Sequence, residues 1–349
     1  MNFKGFLLLA VILFCSVYVS FHGVLQHIGR EYPELRQEIT QAVKKDDDSA
    51  ITLTPILGTE DTETPDNSSA KADTSGGSVT AGNSGQAVGK IIEKFISPYG
   101  ANTVYNNVYL KNNTDAKIDL KALLSKQLSF KIEKNGEPQV LIMHTHTTES
   151  YMNDDRDYYT EQDESRSRES DKNMVAIGNV IEQKLIDAGI GVIHDTTVHD
   201  YPSYSGSYGR SATTVSSALK AYPSIKIVID VHRDAISGDG TDKIKPVVEI
   251  NGQKSAQVML VMGSQTGSIT DYPNWQENLS LAVKYQQTME VMYPGLARAV
   301  TLNEAKYNQN LSVGSILLEV GSNSNTLDEA KNGAAAAGDA LVSLLNTLK

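Results

Sequence analysis

Val140-Leu-Ile-Met-His-Thr-His-Thr-Thr-Glu-Ser-Tyr151 joins a short apolar run to two histidines and a carboxylate. The apolar part reads as a strand of an α/β sheet, and the polar part follows at its carboxyl end. In open α/β sheets ligands gather in the crevice at the carboxyl ends of the strands, so His-Thr-His-Thr-Thr-Glu stands where chemistry is expected. Two later runs end in the same way. Ile225-Lys-Ile-Val-Ile-Asp-Val-His232 delivers a histidine from its tip, and Ser315-Ile-Leu-Leu-Glu-Val-Gly321 carries a glutamate inside an apolar run. Together the three stretches read as a metal site with a general base.

Outward from this strand the chain alternates between strand and helix. Asn173 to Ala188 sets Met174, Ile177, Val180, Ile181 and Leu185 on one helical face, and Gly189 stops it. A strand from Ile190 to His194 follows, then a loop from Tyr201 to Gly209 and a helix from Ser211 to Ala221. Val247–Ile250 and Val258–Met262 read as a strand pair turning at Asn251-Gly252. A helix from Trp275 to Met292, a strand near Ala299–Leu302, the Glu319 strand and an Ala-rich helix ending near Lys349 complete the order. This βαβα succession predicts an α/β fold, a mostly parallel twisted sheet with helices on both faces.

The chain has 349 residues, but its composition is uneven and one main domain is expected. From Gly5 to Gly29 there is no Lys, Arg, Asp or Glu, a span close to the ~20 apolar residues that cross a bilayer. Residues 1–29 are therefore expected to form an uncleaved transmembrane anchor, with everything after Arg30 on the extracytoplasmic side of the cell membrane. Residues 30–90 are rich in Ser, Thr, Gly, Asn, Asp and Lys and read as a disordered tether. Residues 91–137 form a small lead-in, with Val104–Leu110 alternating like a strand and Ile118–Leu128 spaced like a helix. Residues 138–349 are the catalytic domain. A net charge of −11 argues against nucleic acid as a partner. The single cysteine, Cys15, lies in the anchor, so any metal in the soluble part must be held by His and carboxylate.

Hydrolytic zinc is usually held by three such ligands, with a fourth position for water. His146, His232 and a nearby carboxylate meet that need; zinc is the expected ion, with manganese as the second candidate. Two carboxylates compete. Glu149 forms His-x-x-Glu with His146, whereas Glu169 lies just before the first long helix, where the helix dipole alone also favours an acid. His144, two residues before His146, falls on the same side of an extended strand and is a further ligand or supporting residue. Glu319, flanked by Leu317, Leu318 and Val320, is suited to take a proton from water and pass it to a leaving nitrogen. The competing reading is a buried ion pair of Glu319 with Arg233 or Arg210. Those two arginines are also the candidate substrate-binding residues, beside a Tyr204-Ser-Gly-Ser-Tyr-Gly-Arg-Ser211 loop. No Gly-x-Ser-x-Gly, Walker loop or dinucleotide fingerprint is present.

The opening stretch, His194-Asp-Thr-Thr-Val-His-Asp-Tyr-Pro-Ser-Tyr204, Asp230-Val-His-Arg-Asp-Ala235 and Leu318-Glu-Val-Gly-Ser-Asn323 resemble the stage II sporulation protein P family of endospore-forming bacteria. The resemblance implies a membrane-anchored peptidoglycan hydrolase, with amidase and endopeptidase activity, that strips stem peptides from glycan strands during engulfment. It also implies two partners, stage II sporulation proteins D and M. The catalytic region is similar, more distantly, to zinc-dependent N-acetylmuramoyl-L-alanine amidases. That likeness implies His146, Glu169 and His232 as ligands and Glu319 as the catalytic glutamate. It departs at the first motif, where those amidases carry a Gly-His-Gly-Gly type of turn, and the departure keeps Glu149 as a ligand candidate. The alternative function is a wall-binding scaffold that uses the same cleft without turnover.

Overall fold

The computed structural model describes residues 85–348, so the expected anchor and most of the expected tether lie outside the described residues. In chain order the strands are β1 (Ala87–Lys94), β2 (Thr103–Tyr105), β3 (Val108–Asn112), β4 (Pro138–Met143), β5 (Tyr158–Thr160), β6 (Gly191–His194), β7 (Ile227–Asp234), β8 (Lys243–Ile250), β9 (Gln253–Ala256), β10 (Val258–Gly263), β11 (Val300–Asn303) and β12 (Ser315–Ser322). The α-helices are α1 (Leu120–Ser125), α2 (Met174–Asp187), α3 (Ser207–Ala221), α4 (Trp275–Met292) and α5 (Leu327–Leu345). Among the described residues no helix is long and apolar enough to cross a membrane.

The main sheet has eight strands in the order β2-β3-β11-β10-β12-β7-β4-β6. Pairing is parallel from β12 through β7 and β4 to β6, and from β3 through β11 to β10. Only β2 against β3 and β10 against β12 are antiparallel. The mostly parallel sheet expected from the element order is therefore present.

Successive strand residues point to opposite faces, and the burial follows that period of two. Val140 and Ile142 of β4, with Ile227, Ile229 and Val231 of β7, enter a large core shared with α2, α4 and α5. Leu141, Met143 and Val228 enter a small core under Val215 of α3. Three long helices thus cover one face and a single helix covers part of the other. Asp230 and His232 share the parity of Val228, and Glu319 shares that of Leu317, so all three project on the thinly covered face, where polar groups need not be sealed in a core. Helix α5 starts at a capping box in which the Thr326 hydroxyl accepts from the Glu329 N–H and the Glu329 carboxylate accepts from the Thr326 N–H.

The structure corrects several local expectations. A second sheet, β5-β1-β8-β9, was not anticipated, and β1 already occupies residues 87–90 of the expected tether. The Asn251-Gly252 turn does make a hairpin, with φ of 52° and 76°, but it joins β8 to β9; β10 belongs to the main sheet. The apolar run of β10 reflects burial in the large sheet, which periodicity does not distinguish from a hairpin arm. Val104–Leu110 is not one strand. Asn106 and Asn107 take left-handed φ of 48° and 62° and fold it into the β2–β3 hairpin, which extends the edge of the main sheet. Helix α3 starts at Ser207, four residues before the expected Ser211, and α1 is shorter than the Ile118–Leu128 spacing suggested.

Candidate active site

Strand β4 stops at Met143, and the chain turns at once: the Thr147 hydroxyl donates to the His144 carbonyl at 3.0 Å and the Glu149 N–H donates to the His146 carbonyl at 3.1 Å. This turn is anchored on the neighbouring β7. The buried Asp230 carboxylate accepts from the Thr145 N–H at 2.8 Å and from the Thr145 hydroxyl at 2.7 Å. The buried Asp200 carboxylate anchors the following residues in the same manner, accepting from the Thr148 hydroxyl at 2.6 Å. Fixed in this way, His146 and Glu149 lie beside His232. Its Nδ1 is 3.6 Å from Glu149 Oε2, and the rings of His146 and His232 meet edge to face with centroids 5.1 Å apart. Glu319 comes alongside because β12 pairs with β7 in the register that sets Glu319 opposite His232.

All four side chains are buried, and their charge states differ for physical reasons. Burial, then the His232 charge, pushes the His146 imidazole down to about 2, which leaves it neutral with a free lone pair. Burial also pushes His232 down, but the Asp230 carboxylate, with Glu149 and Glu319, outweighs it and raises His232 to about 10. Burial and the neighbouring Asp234 raise the Glu319 carboxyl. Two buried atoms here have no hydrogen-bond partner, His232 Nε2 and Glu319 Oε2. The former lies 2.8 Å from Asp230 Oδ1 but off the line of a ring hydrogen bond. Unsatisfied polar atoms at this depth are rare in folded proteins.

The remaining sequence candidates fall elsewhere. His144 does not share a face with His146, because the turn after Met143 breaks the strand parity. Its Nδ1 meets the Val231 carbonyl at 3.0 Å and its Nε2 meets His194 Nε2 at 2.9 Å, on the side of α2. Gly178 admits this pair, since a Cβ there would come within 2.4 Å of His194 Nε2. Glu169 is exposed and paired with Lys172 at 2.6 Å, outside the cluster. Arg210 is a loop clamp, donating through Nε to the His199 carbonyl and through Nη2 to the Ser205 carbonyl at 3.1 Å. Arg233 is buried and donates through Nε to the Ser150 carbonyl at 3.2 Å and through Nη2 to the Ser165 carbonyl at 2.8 Å, with Nη1 3.5 Å from Glu149. Neither arginine pairs with Glu319; Arg298 reaches only its neighbour Asp234, at 2.8 Å.

Other residues at the site were not anticipated in these roles. Asp230 sits two residues before His232 in the same strand and so on the same side, a signal that was legible. Tyr204 stacks on His146 with centroids 4.4 Å apart, and Tyr208 meets it edge-on at 5.6 Å. The Arg166 guanidinium lies 4.9 Å from the Tyr204 ring centre and donates to Asp200 at 2.5 Å.

The profile of the family described as Stage II sporulation protein P (SpoIIP) matches residues 28–342. This chain belongs to the stage II sporulation protein P family. Within the family, Stage II sporulation protein P of Bacillus subtilis (strain 168) is 31% identical over 211 residues, 57% of this chain and 49% of that protein. The chain therefore matches about half the length of this relative. Among solved structures, the CwlD amidase from Clostridioides difficile in complex with the GerS lipoprotein covers 60% of this chain and 99% of its own, at 13% identity and a TM-score of 0.39. An N-acetylmuramoyl-L-alanine amidase from Clostridium difficile 630 covers 61% and 97%, at 16% identity and a TM-score of 0.35. Likenesses at these TM-scores are too slight to bear on function, and the family membership stands on the profile.

The resemblances implied zinc, and the donor set can be tested against it. Two imidazoles and a carboxylate suit zinc in kind, and the carboxylates around His232 make a pocket whose field favours a cation. The set is open: among the described residues, the only three such side chains with ligand atoms all within 4.8 Å of one another are Glu93, Asp155 and Glu329. That second cluster already holds a cation. Lys245 Nζ lies 2.8, 2.6 and 3.1 Å from their carboxylates. It ties β1, β8 and α5 to the loop after Tyr151.

Proposed function

We propose that this member of the family is a peptidoglycan hydrolase, an N-acetylmuramoyl-L-alanine amidase with endopeptidase activity, that removes stem peptides from glycan strands during engulfment. In this reading residues 1–29 anchor it in the cell membrane, the catalytic domain lies on the extracytoplasmic side, and stage II sporulation proteins D and M are its partners. The observation that carries the reading is the convergence of His146, Glu149, His232 and the unpartnered Glu319 at the carboxyl ends of three adjacent parallel strands.

His146, Glu149 and His232 would hold zinc, with manganese as the second candidate. When bound, the ion supplies Lewis-acid activation of the amide carbonyl and of water. The chain's own groups do the rest. Tyr204, Tyr208 and His232 fix the His146 ring on three sides, and Asp230 holds both the Thr145 turn and His232 in place. Glu319, left without a hydrogen bond on Oε2 and raised by burial, takes a proton from the attacking water and gives it to the leaving nitrogen. The bond broken joins the lactyl carbonyl of N-acetylmuramic acid to the nitrogen of L-alanine, and the products are a carboxylate and a free amine.

The test is mass analysis of peptides released from purified peptidoglycan by the full chain, with chelator and with added zinc. Peptides with a free L-alanine amine, lost on chelation and restored by zinc, are expected. Glu319→Gln should lower release about a hundredfold or more while zinc still binds. Full activity of that variant, or release indifferent to chelator, overturns the assignment.

A further inference from the structure

Residues 165–167 pair with the Glu149 loop, the Ser150 N–H donating to the Ser165 carbonyl at 3.0 Å and the Ser167 N–H to the Thr148 carbonyl at 2.7 Å. Arg166 and Arg168 both reach the facing 201–204 loop. Each meets a tyrosine of the facing loop: Arg166 lies 4.9 Å from the Tyr204 ring centre and Arg168 lies 4.5 Å from that of Tyr201. Both tyrosines are 51% exposed. The rim of the site is thus two arginine–tyrosine pairs, the inner one resting on His146.

The two arginines are not equivalent. Arg166 is committed to Asp200 at 2.5 Å and to the Thr148 hydroxyl at 3.1 Å, and its Nη2 lies 3.9 Å from Glu149. Arg168 has its ring contact with Tyr201 and, among the described residues, no hydrogen bond and no ion pair. Stacking on a ring leaves the N–H edge of a guanidinium open, and that edge fits a carboxylate in a bidentate manner. The need for such a group is also visible. The chain carries a net charge of −11, so an anionic substrate gains from a cation presented at the rim.

We propose that Arg168, held over Tyr201, is a subsite that binds a carboxylate of the peptide portion of the substrate. Tyr201 and Tyr204 are three residues apart, a reach of at most about 10 Å. The subsite therefore lies further along the rim than the Arg166–Tyr204 pair that rests on His146. The inference rests on the peptidoglycan reading above and names which portion of that substrate is held outside the reacting amide.

The experiment is calorimetric titration of the full chain carrying Glu319→Gln, which binds without turnover. The probes are an N-acetylmuramyl tripeptide with free carboxylates and the same compound with those carboxylates amidated. Adding Arg168→Ala should weaken binding of the free-carboxylate ligand about tenfold, the scale of one charge-assisted contact. Arg168→Lys should recover some of that loss, and the amidated ligand should bind all three proteins alike. Arg168 is exposed, so the fold is not at stake. An unchanged Kd in Arg168→Ala, an equal loss with the amidated ligand, or no binding by the Glu319→Gln chain overturns the subsite. Peptide release by the unmutated chain is read separately, so binding without turnover would sink the hydrolase reading and leave the subsite standing.

Discussion

Glu290 offers a test of the fold's electrostatics away from the site. It lies in the last turn of α4 and is 5% exposed, with its carboxyl accepting from the Gly295 and Ala297 N–H groups at 3.3 Å. Burial raises it from 4.5 to about 7, more than those N–H groups lower it. Between these two values the native state binds more protons than the unfolded chain, so stability falls as pH rises. The contribution is fully present below about pH 4.5 and is lost as pH passes through about 7. Ionised Glu290 therefore costs the fold about 3 kcal/mol above that range, at ~1.4 kcal/mol per unit. Glu290→Gln keeps an acceptor for the two N–H groups and removes the charge. Whatever fixed cost the extra amide brings, its stability relative to the parent should improve by about 2.5 kcal/mol on going from about pH 5 to about pH 8.5. Trp275, the single tryptophan, starts the same helix and packs against the core, so its fluorescence reports urea unfolding directly. A stability difference that is the same at both pH values, or that shrinks at the higher one, refutes the reasoning.

Three further outcomes are expected. Glu149→Gln should lose zinc in an equilibrium dialysis assay and lose peptide release, whereas Glu169→Gln, exposed and paired with Lys172, should change neither. Replacing Lys245 by Met leaves the buried Glu329 and the half-exposed Glu93 and Asp155 carboxylates with the exposed Lys254 as their remaining cation, and should cost about 1–2 kcal/mol in urea unfolding. In the release assay with chelator, zinc or manganese should restore activity where magnesium does not, because imidazole ligands suit the former ions better than the latter.

What was legible in the sequence follows one rule: patterns imposed by burial could be read, and choices among equally polar partners could not. The runs that became β4, β7 and β12 stood out because their apolar residues are buried on both faces, and α4 was read at Trp275–Met292 because its pattern holds through the whole helix. The second sheet was missed because β1, β5 and β9 are short or half exposed and give weak patterns. His144 looked equivalent to His146 under a period of two, and the two were separated by a turn held through Asp230, a residue far away in sequence. Glu149 and Glu169 are equal in chemistry, and only the fold distinguishes them, burying Glu149 beside His232 and leaving Glu169 exposed against Lys172.

By itself the sequence determined the α/β class, the long helices and the three strand ends where histidines and a glutamate emerge, because side-chain hydrophobicity and its period are local properties of the chain. The tertiary structure decided which of those groups meet. The parallel register of β12 on β7 sets Glu319 opposite His232, the Thr145–Asp230 bonds turn His146 and Glu149 toward them, and Lys245 takes up the other acidic cluster. These are contacts between residues tens to hundreds of positions apart, and only the folded chain can specify them.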